Sequence, residues 1–173
     1  MYVNKYDRRN SASIGNKAER VFISLAGQRG YQIHPSSSKQ NRISRIDYFL
    51  EKNGLSRGVD VKARKKVCAY DEDYNDQWTW VEFQNADGFG GWLYGEAYYI
   101  AFEKKDEFII VSREDLKNLC EKIIDKTKEY VYNCQDAKYR IYQRRGQEEI
   151  ALIQTSDIKK IKNSATWKKN NGF

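Results

Sequence analysis

An α/β domain with a central mixed β-sheet flanked by helices is the fold class this sequence predicts, and three observations carry the prediction. Two stretches have helical apolar spacing: "SIGNKAERVFISLAGQRG" sets Ile14, Ala18, Val21 and Leu25 on one side, and "REDLKNLCEKIIDKTK" does so with Leu116, Leu119, Cys120 and Ile123. The runs between and after them alternate apolar and polar residues, the period of a half-buried strand. Turn signals separate those runs, Asn53-Gly54 being the clearest. At 173 residues, with 40% hydrophobic and 14% aromatic content, the chain is long enough for one substantial core. No repeat or linker divides it, so residues 1–173 are expected to form a single domain with flexible basic ends at 1–12 and 159–173.

Each element has its own signal. Ser13 is placed to cap the first helix, and Gly27 or Gly30 to end it. "YQIH" reads as a short strand, closed by Pro35 and the polar loop "SSSKQN". "SRIDYFLEKNGLSRGVDVKARKKV" reads as a hairpin of two alternating runs. "CAYDEDYNDQ" is an acidic loop, "WTWVEFQN" a third strand, and "ADGFGGWLYG" a glycine-rich connection. "AYYIAFEKKDEFIIVSRE" predicts a second hairpin turning at Lys104-Lys105-Asp106, followed by the second helix. "KYRIYQRRGQEEIALIQ" predicts a last strand pair turning near Gly146, and the tail "DIKKIKNSATWKKNNGF" is expected to fray.

Composition narrows the function. No stretch reaches the ~18 apolar residues of a membrane span, and the N-terminal "MYVNKYDRRNSAS" lacks the apolar centre of an export signal. Cys68, Cys120 and Cys134 are widely spaced, with no CxxC pair for structural zinc. Their odd number predicts reduced thiols and a cytoplasmic setting. His34 is the sole histidine, which excludes a multi-histidine metal site and reads as the polar end of a short strand. The net charge of +7 points to a polyanionic partner, nucleic acid before membrane.

Within the first hairpin, "RGVDVKARKK" puts Asp60 and Lys62 on one side of a strand and Val59 and Val61 on the other. A surface ion pair would look the same, so the pair needs partners. Asp47 lies in the strand opposite. Glu19 sits on the preceding helix, a turn before Phe22 and Ile23, where its carboxylate is expected to be partly buried. Gln84 ends the third strand on the face of Trp80 and Glu82.

An acid on a helix, an acid on one strand and acid-x-Lys on the next resembles the PD-(D/E)XK nuclease superfamily. The matching residues are Glu19, Asp47 in "RIDYF", Asp60 and Lys62 in "VDVKA", and Gln84 in "VEFQN"; the two aspartates are thirteen residues apart. The likeness covers Ser13 to Asn85, and departs from the family pattern in having Ile46 where a proline precedes the first aspartate. It implies a restriction-endonuclease-like or Holliday-junction-resolvase-like core, here with additional C-terminal strands. It also implies a Mg²⁺-dependent endonuclease, with Mn²⁺ as a substitute, acting on DNA. Asp47, Asp60 and the Val61 carbonyl would hold the ion, since Mg²⁺ prefers oxygen ligands. Glu19 would complete its surroundings directly, through water or at a second ion. Lys62 would sit beside the attacking water and steady the charge growing on the phosphate. A homodimer is consistent with two strands to cut.

Cations cluster near these residues: Lys39, Arg42 and Arg45 before Asp47, then Arg57, Arg64, Lys65 and Lys66 around Asp60. By strand parity Arg64 and Lys66 share the Lys62 face, and with the others they suit phosphates either side of a scissile bond. "DEDYNDQWTWVE" has the ligand spacing of a calcium loop, but Asp76 stands where glycine is required and the flanks read as strands, so a solvated loop is the better account. "GFGGWLYG" lacks the lysine of a P-loop and reads as a tight connection, with Phe89 and Trp92 available to stack on a base. The alternative to a nuclease is a non-catalytic nucleic-acid-binding module on the same fold.

Overall fold

A computed structural model of the chain describes residues 5–144 and 146–169, with side chains from Ser13 onward. The first hairpin forms as its turn residues dictate. Asn53 and Gly54 both adopt left-handed conformations (φ 53° and 74°), the requirement of a two-residue hairpin turn between β2 (Tyr48–Lys52) and β3 (Leu55–Lys62). β1 (Gln32–Pro35) runs antiparallel to β2, while β5 (Tyr99–Glu103) lies parallel to β3. β6 (Glu107–Ser112) and β9 (Ala165–Lys168) extend the sheet antiparallel. The result is a mixed six-stranded sheet in the order β1-β2-β3-β5-β6-β9.

β4 (Trp78–Gln84) stays out of this sheet. It pairs with β8 (Glu149–Gln154), which pairs with β7 (Tyr142–Gln143), in a second, three-stranded antiparallel sheet. Alternation does not name a strand's partner, so the sequence could not place β4 here.

The first helix, α1 (Lys5–Gln28), starts eight residues before the expected cap, so Ser13 lies inside it. "KYDRRNSA" contains neither glycine nor proline, and a helix once nucleated extends at little cost. Gly27 is helical too; Gly30, at φ 79°, supplies the left-handed residue beyond the end. α1 packs Phe22, Leu25 and Ala26 against Leu50, Val59, Val61 and Phe108 on one face of the large sheet. The opposite face carries a larger cluster in which Ile100, Phe102 and Ile109 meet Val81 and Phe83 of the small sheet and Leu116 of α2 (Arg113–Ile123). Ile158 of α3 (Thr155–Lys159) belongs to the same cluster.

Three expectations change. Part of the tail read as fraying is β9, whose Trp167 ring stacks on Phe22 at 5.4 Å, while residues 1–4 and 170–173 lie outside the described residues. The polar stretch after Pro35 includes a five-residue π-helical turn, Gln40–Ser44. Cys68 and Cys134 form a disulfide, leaving Cys120 as the free, buried thiol, which removes the reduced-thiol argument for a cytoplasmic setting. Among the described residues no helix is long and apolar enough to cross a membrane.

Candidate active site

β3 is buried from Gly58 to Val61, on both faces. Val59 and Val61 meet α1, as alternation requires. Asp60 sits opposite Ile100 in the parallel register and therefore turns toward the other cluster, where it is 3% exposed. An exposed ion pair is thus not what the Asp60-x-Lys62 spacing makes. Lys62 Nζ lies 2.7 Å from Asp60 Oδ2, a largely buried ion pair. Burial pushes the Asp60 carboxyl up to about 6; Lys62 opposes the shift and Asp47 adds to it.

Asp47 lies one residue before β2 yet continues the ladder, its N–H donating to Val59 O at 2.9 Å. Its carboxylate is held at both oxygens. Oδ2 accepts from Val61 N–H at 2.7 Å and Oδ1 from the Asn41 amide at 2.6 Å. These bonds tie the turn carrying Lys39 and Arg42, both exposed, to the acid-x-Lys strand.

Glu19 comes from the α1 side. Tyr48 donates to Glu19 Oε2 at 2.8 Å, and Tyr48 packs with the α1 cluster. Burial raises the Glu19 carboxyl; the Tyr48 bond works against that, and Asp47 reinforces it. Burial and this acceptor together push the Tyr48 phenol up to about 12. Among the described residues no three carboxylate, histidine or cysteine side chains form one metal-sized group. The structure therefore brings Asp47, Asp60 and Lys62 together, with Glu19 near enough to feel Asp47 and Lys62.

Gln84 is placed differently from the expectation. Its amide donates to Gln147 O at 2.8 Å, and it does not line the cavity into which Lys62 opens; Glu82, two residues earlier on the same face, does. Glu82 Oε1 accepts from Trp92 N–H at 3.1 Å. Trp92 is buried edge-on to Phe102 and carries Lys62 Nζ over its ring at 5.1 Å, so it steadies the lysine and is not free to stack on a base. Phe89 is 72% exposed, outside the cavity lining. The sequence carried one signal for Glu82, its parity with Gln84. The glycine-rich stretch is a tight connection: a Cβ on Gly91 would meet Glu82 O at 2.4 Å.

The remaining cations divide. β3 ends at Lys62, so strand parity does not extend to Ala63–Lys66, and Arg64, Lys65 and Lys66 all line the cavity. Arg64 pairs with Asp76 at 2.8 Å and lies over Tyr74, while Lys66 donates to Asp71 O at 2.6 Å. Solvent reaches Lys65, yet the surrounding walls hold its amine below the ordinary lysine value by desolvation, with Lys62 adding to the effect. Arg45 adopts φ 57° next to Gly95. Arg57 stacks on Tyr98 at 4.6 Å, near the start of β3 and roughly 16 Å of extended strand from Lys62.

The cavity measures about 550 Å³. Its wall is the segment 62–70, tied by Cys68 to Cys134, and its other side is the small sheet. No protein-family model, curated protein or solved structure matches the chain.

Proposed function

We propose that the chain is a metal-dependent nuclease of the PD-(D/E)XK kind, with a restriction-endonuclease-like core, cutting DNA internally. The observation that carries this reading is Asp60: a carboxylate at 3% exposure, ion-paired with Lys62 at 2.7 Å, in the same neighbourhood as Asp47. A pair of neighbouring carboxylates, one of them desolvated, is stabilised when a cation lies beside both. A hard cation suits it, because the donors at hand are the oxygens of Asp47, Asp60 and the Val61 carbonyl. Those three would hold Mg²⁺, or Mn²⁺ in its place, with Glu19 completing the surroundings through water or at a second ion. When bound, the ion would relieve phosphate charge and supply an activated water. Asp47, fixed by Val61 and Asn41, keeps the donor set in register with β3. Lys62, leaning on Trp92, presents its ammonium to the phosphate and the attacking water. Lys39 and Arg42 flank this point and would position the backbone of the strand. A homodimer would place two such sites for cutting both strands.

The closed Asp60–Lys62 contact favours a second reading, a non-catalytic nucleic-acid-binding module. Incubation with linear, circular, branched and single-stranded DNA, and with RNA, in Mg²⁺, Mn²⁺ or chelator separates the two. Metal-dependent cleavage lost in Lys62→Ala is the expected outcome. Nucleic-acid binding without cleavage of any substrate would leave the second reading.

A further inference from the structure

We infer that the cavity beside Lys62 receives one unpaired nucleobase of the strand whose phosphate lies at Lys62, so that the substrate is DNA with an unstacked nucleotide at the cut. This rests on the nuclease reading and names its substrate class.

Size excludes the bulkier alternative. About 550 Å³ falls within the range of small-ligand pockets and holds one nucleotide, whereas a stacked base pair with its two backbones does not fit. The lining has the two chemistries an isolated nucleotide needs. Trp78 and Trp80 project from the outward face of β4, and Tyr142 stands beside Trp80 with its ring 6.1 Å away. These rings back onto a small cluster of Val131, Ala137 and Leu152. Lys138 Nζ covers the Trp78 ring at 5.0 Å and Tyr139 meets Trp78 edge-on. The rings left for the cavity are therefore those of half-buried Tyr142 and of half-buried Trp80, whose indole N–H donates to Lys66 O at 3.0 Å. A base has a π-face whatever its identity and stacks on such rings with little sequence preference. Lys65 supplies charge: among the described residues none forms a hydrogen bond or ion pair with it, and it stands three residues from Lys62 on the same wall.

Continuity with the site sets the occupant as part of a strand. Lys62 and Trp92 belong both to the active-site neighbourhood and to the cavity lining. A phosphate beside Lys62 therefore has its own sugar and base at the cavity mouth. Base extrusion into a pocket of this kind is least costly at mismatches, bulges and strand ends.

The test uses the full chain in Ca²⁺, with 2-aminopurine as the probe. It is placed in a single-nucleotide bulge or at the matched position of a paired duplex. Expected are tighter binding of the bulged DNA and quenching of the bulged 2-aminopurine. Trp80→Ala, and Trp80→Leu as the variant better able to fold, should weaken bulge binding roughly 5- to 150-fold while leaving duplex binding within about two-fold. Phe89→Ala, an exposed aromatic outside the cavity, should change neither. Equal losses on bulge and duplex, or no quenching, overturn the assignment while the nuclease reading stands if Mg²⁺ still supports cleavage of paired DNA. Binding of free deoxynucleoside monophosphate as tightly as of bulged DNA would make the cavity a free-nucleotide site and also overturn it. Failure to bind any nucleic acid overturns both readings.

Discussion

In the six-stranded sheet, strands that are close in sequence are mostly close in space: β1 pairs with β2, β2 with β3, β5 with β6. In the three-stranded sheet β7 and β8 form a local pair, but β4 comes from far away in sequence, with Trp78 opposite Gln154 and Gln84 opposite Glu149. The proposed ion-binding residues belong to the first sheet and the helix and turn beside it, while most of the cavity wall belongs to the second sheet and the loop facing it. Residues that act together within one hairpin can be read from spacing alone. Residues brought together across sheets cannot, because period-2 alternation fixes a face and leaves the partner open.

The largest effect expected is on chemistry at the first sheet. Lys62→Ala should lower cleavage by on the order of 10²–10³-fold, the loss typical of one electrostatic contact in a transition state. Asp60→Asn should lower it at least as far while also weakening Mn²⁺ binding in calorimetry, which Lys62→Ala should leave equal or tighter, one neighbouring positive charge having gone. Wild-type cleavage by Lys62→Ala would reduce the pair to a structural contact.

Stability comes next. Phe22→Ala, at a fully buried ring stacked on Trp167 and tilted against Phe108, should cost about 3–5 kcal/mol in urea unfolding. A loss near 1 kcal/mol would mean that α1 adds little to the large sheet.

Lys104 tests the join between the sheets. From the β5–β6 turn its ammonium donates to Thr79 Oγ1 at 2.7 Å and to Trp78 O at 3.2 Å on β4. Burial lowers its amine from 10.5 to about 8, despite Asp76 pulling the other way. The folded state thus sheds this proton first, and between about pH 8 and 10.5 the unfolded chain holds more protons, so stability should rise with pH there. The rise is on the order of 3 kcal/mol. Unfolding curves across that window should show wild type gaining stability relative to Lys104→Met as pH rises, and parallel curves would remove Lys104 from the account.

Gly91→Ala should give the smallest change, roughly 1–3 kcal/mol, as the new methyl presses on the backbone carbonyl of Glu82. An unchanged midpoint would show that the glycine-rich connection is not packed tightly against β4.

Asp47, Asp60 and Lys62 were legible because one hairpin with a clear Asn53-Gly54 turn sets their mutual positions. Both hairpin turns and the second helix were legible for the same local reason. Gln84 was misplaced because its strand leaves the sheet of Asp60, and its amide finds Gln147, sixty-three residues away. Glu82 had only parity to mark it. No apolar spacing marks the early start of α1, because its first turns carry mostly polar residues. The Cys68–Cys134 bond escaped because nothing in the spacing of three cysteines tells which two meet.

That bond encloses a ring of chain containing β4, β5, β6 and α2. A protease cutting within the ring, for example at the exposed Tyr74 of the acidic loop, opens the ring without releasing either piece. The amino-terminal fragment with α1 and β3 and the carboxy-terminal fragment with β8 and β9 stay covalently joined until a reductant separates them. Nicked protein would therefore run as one species on a non-reducing gel and as two on a reducing one, a difference by which limited proteolysis reports on the thiol state of the chain.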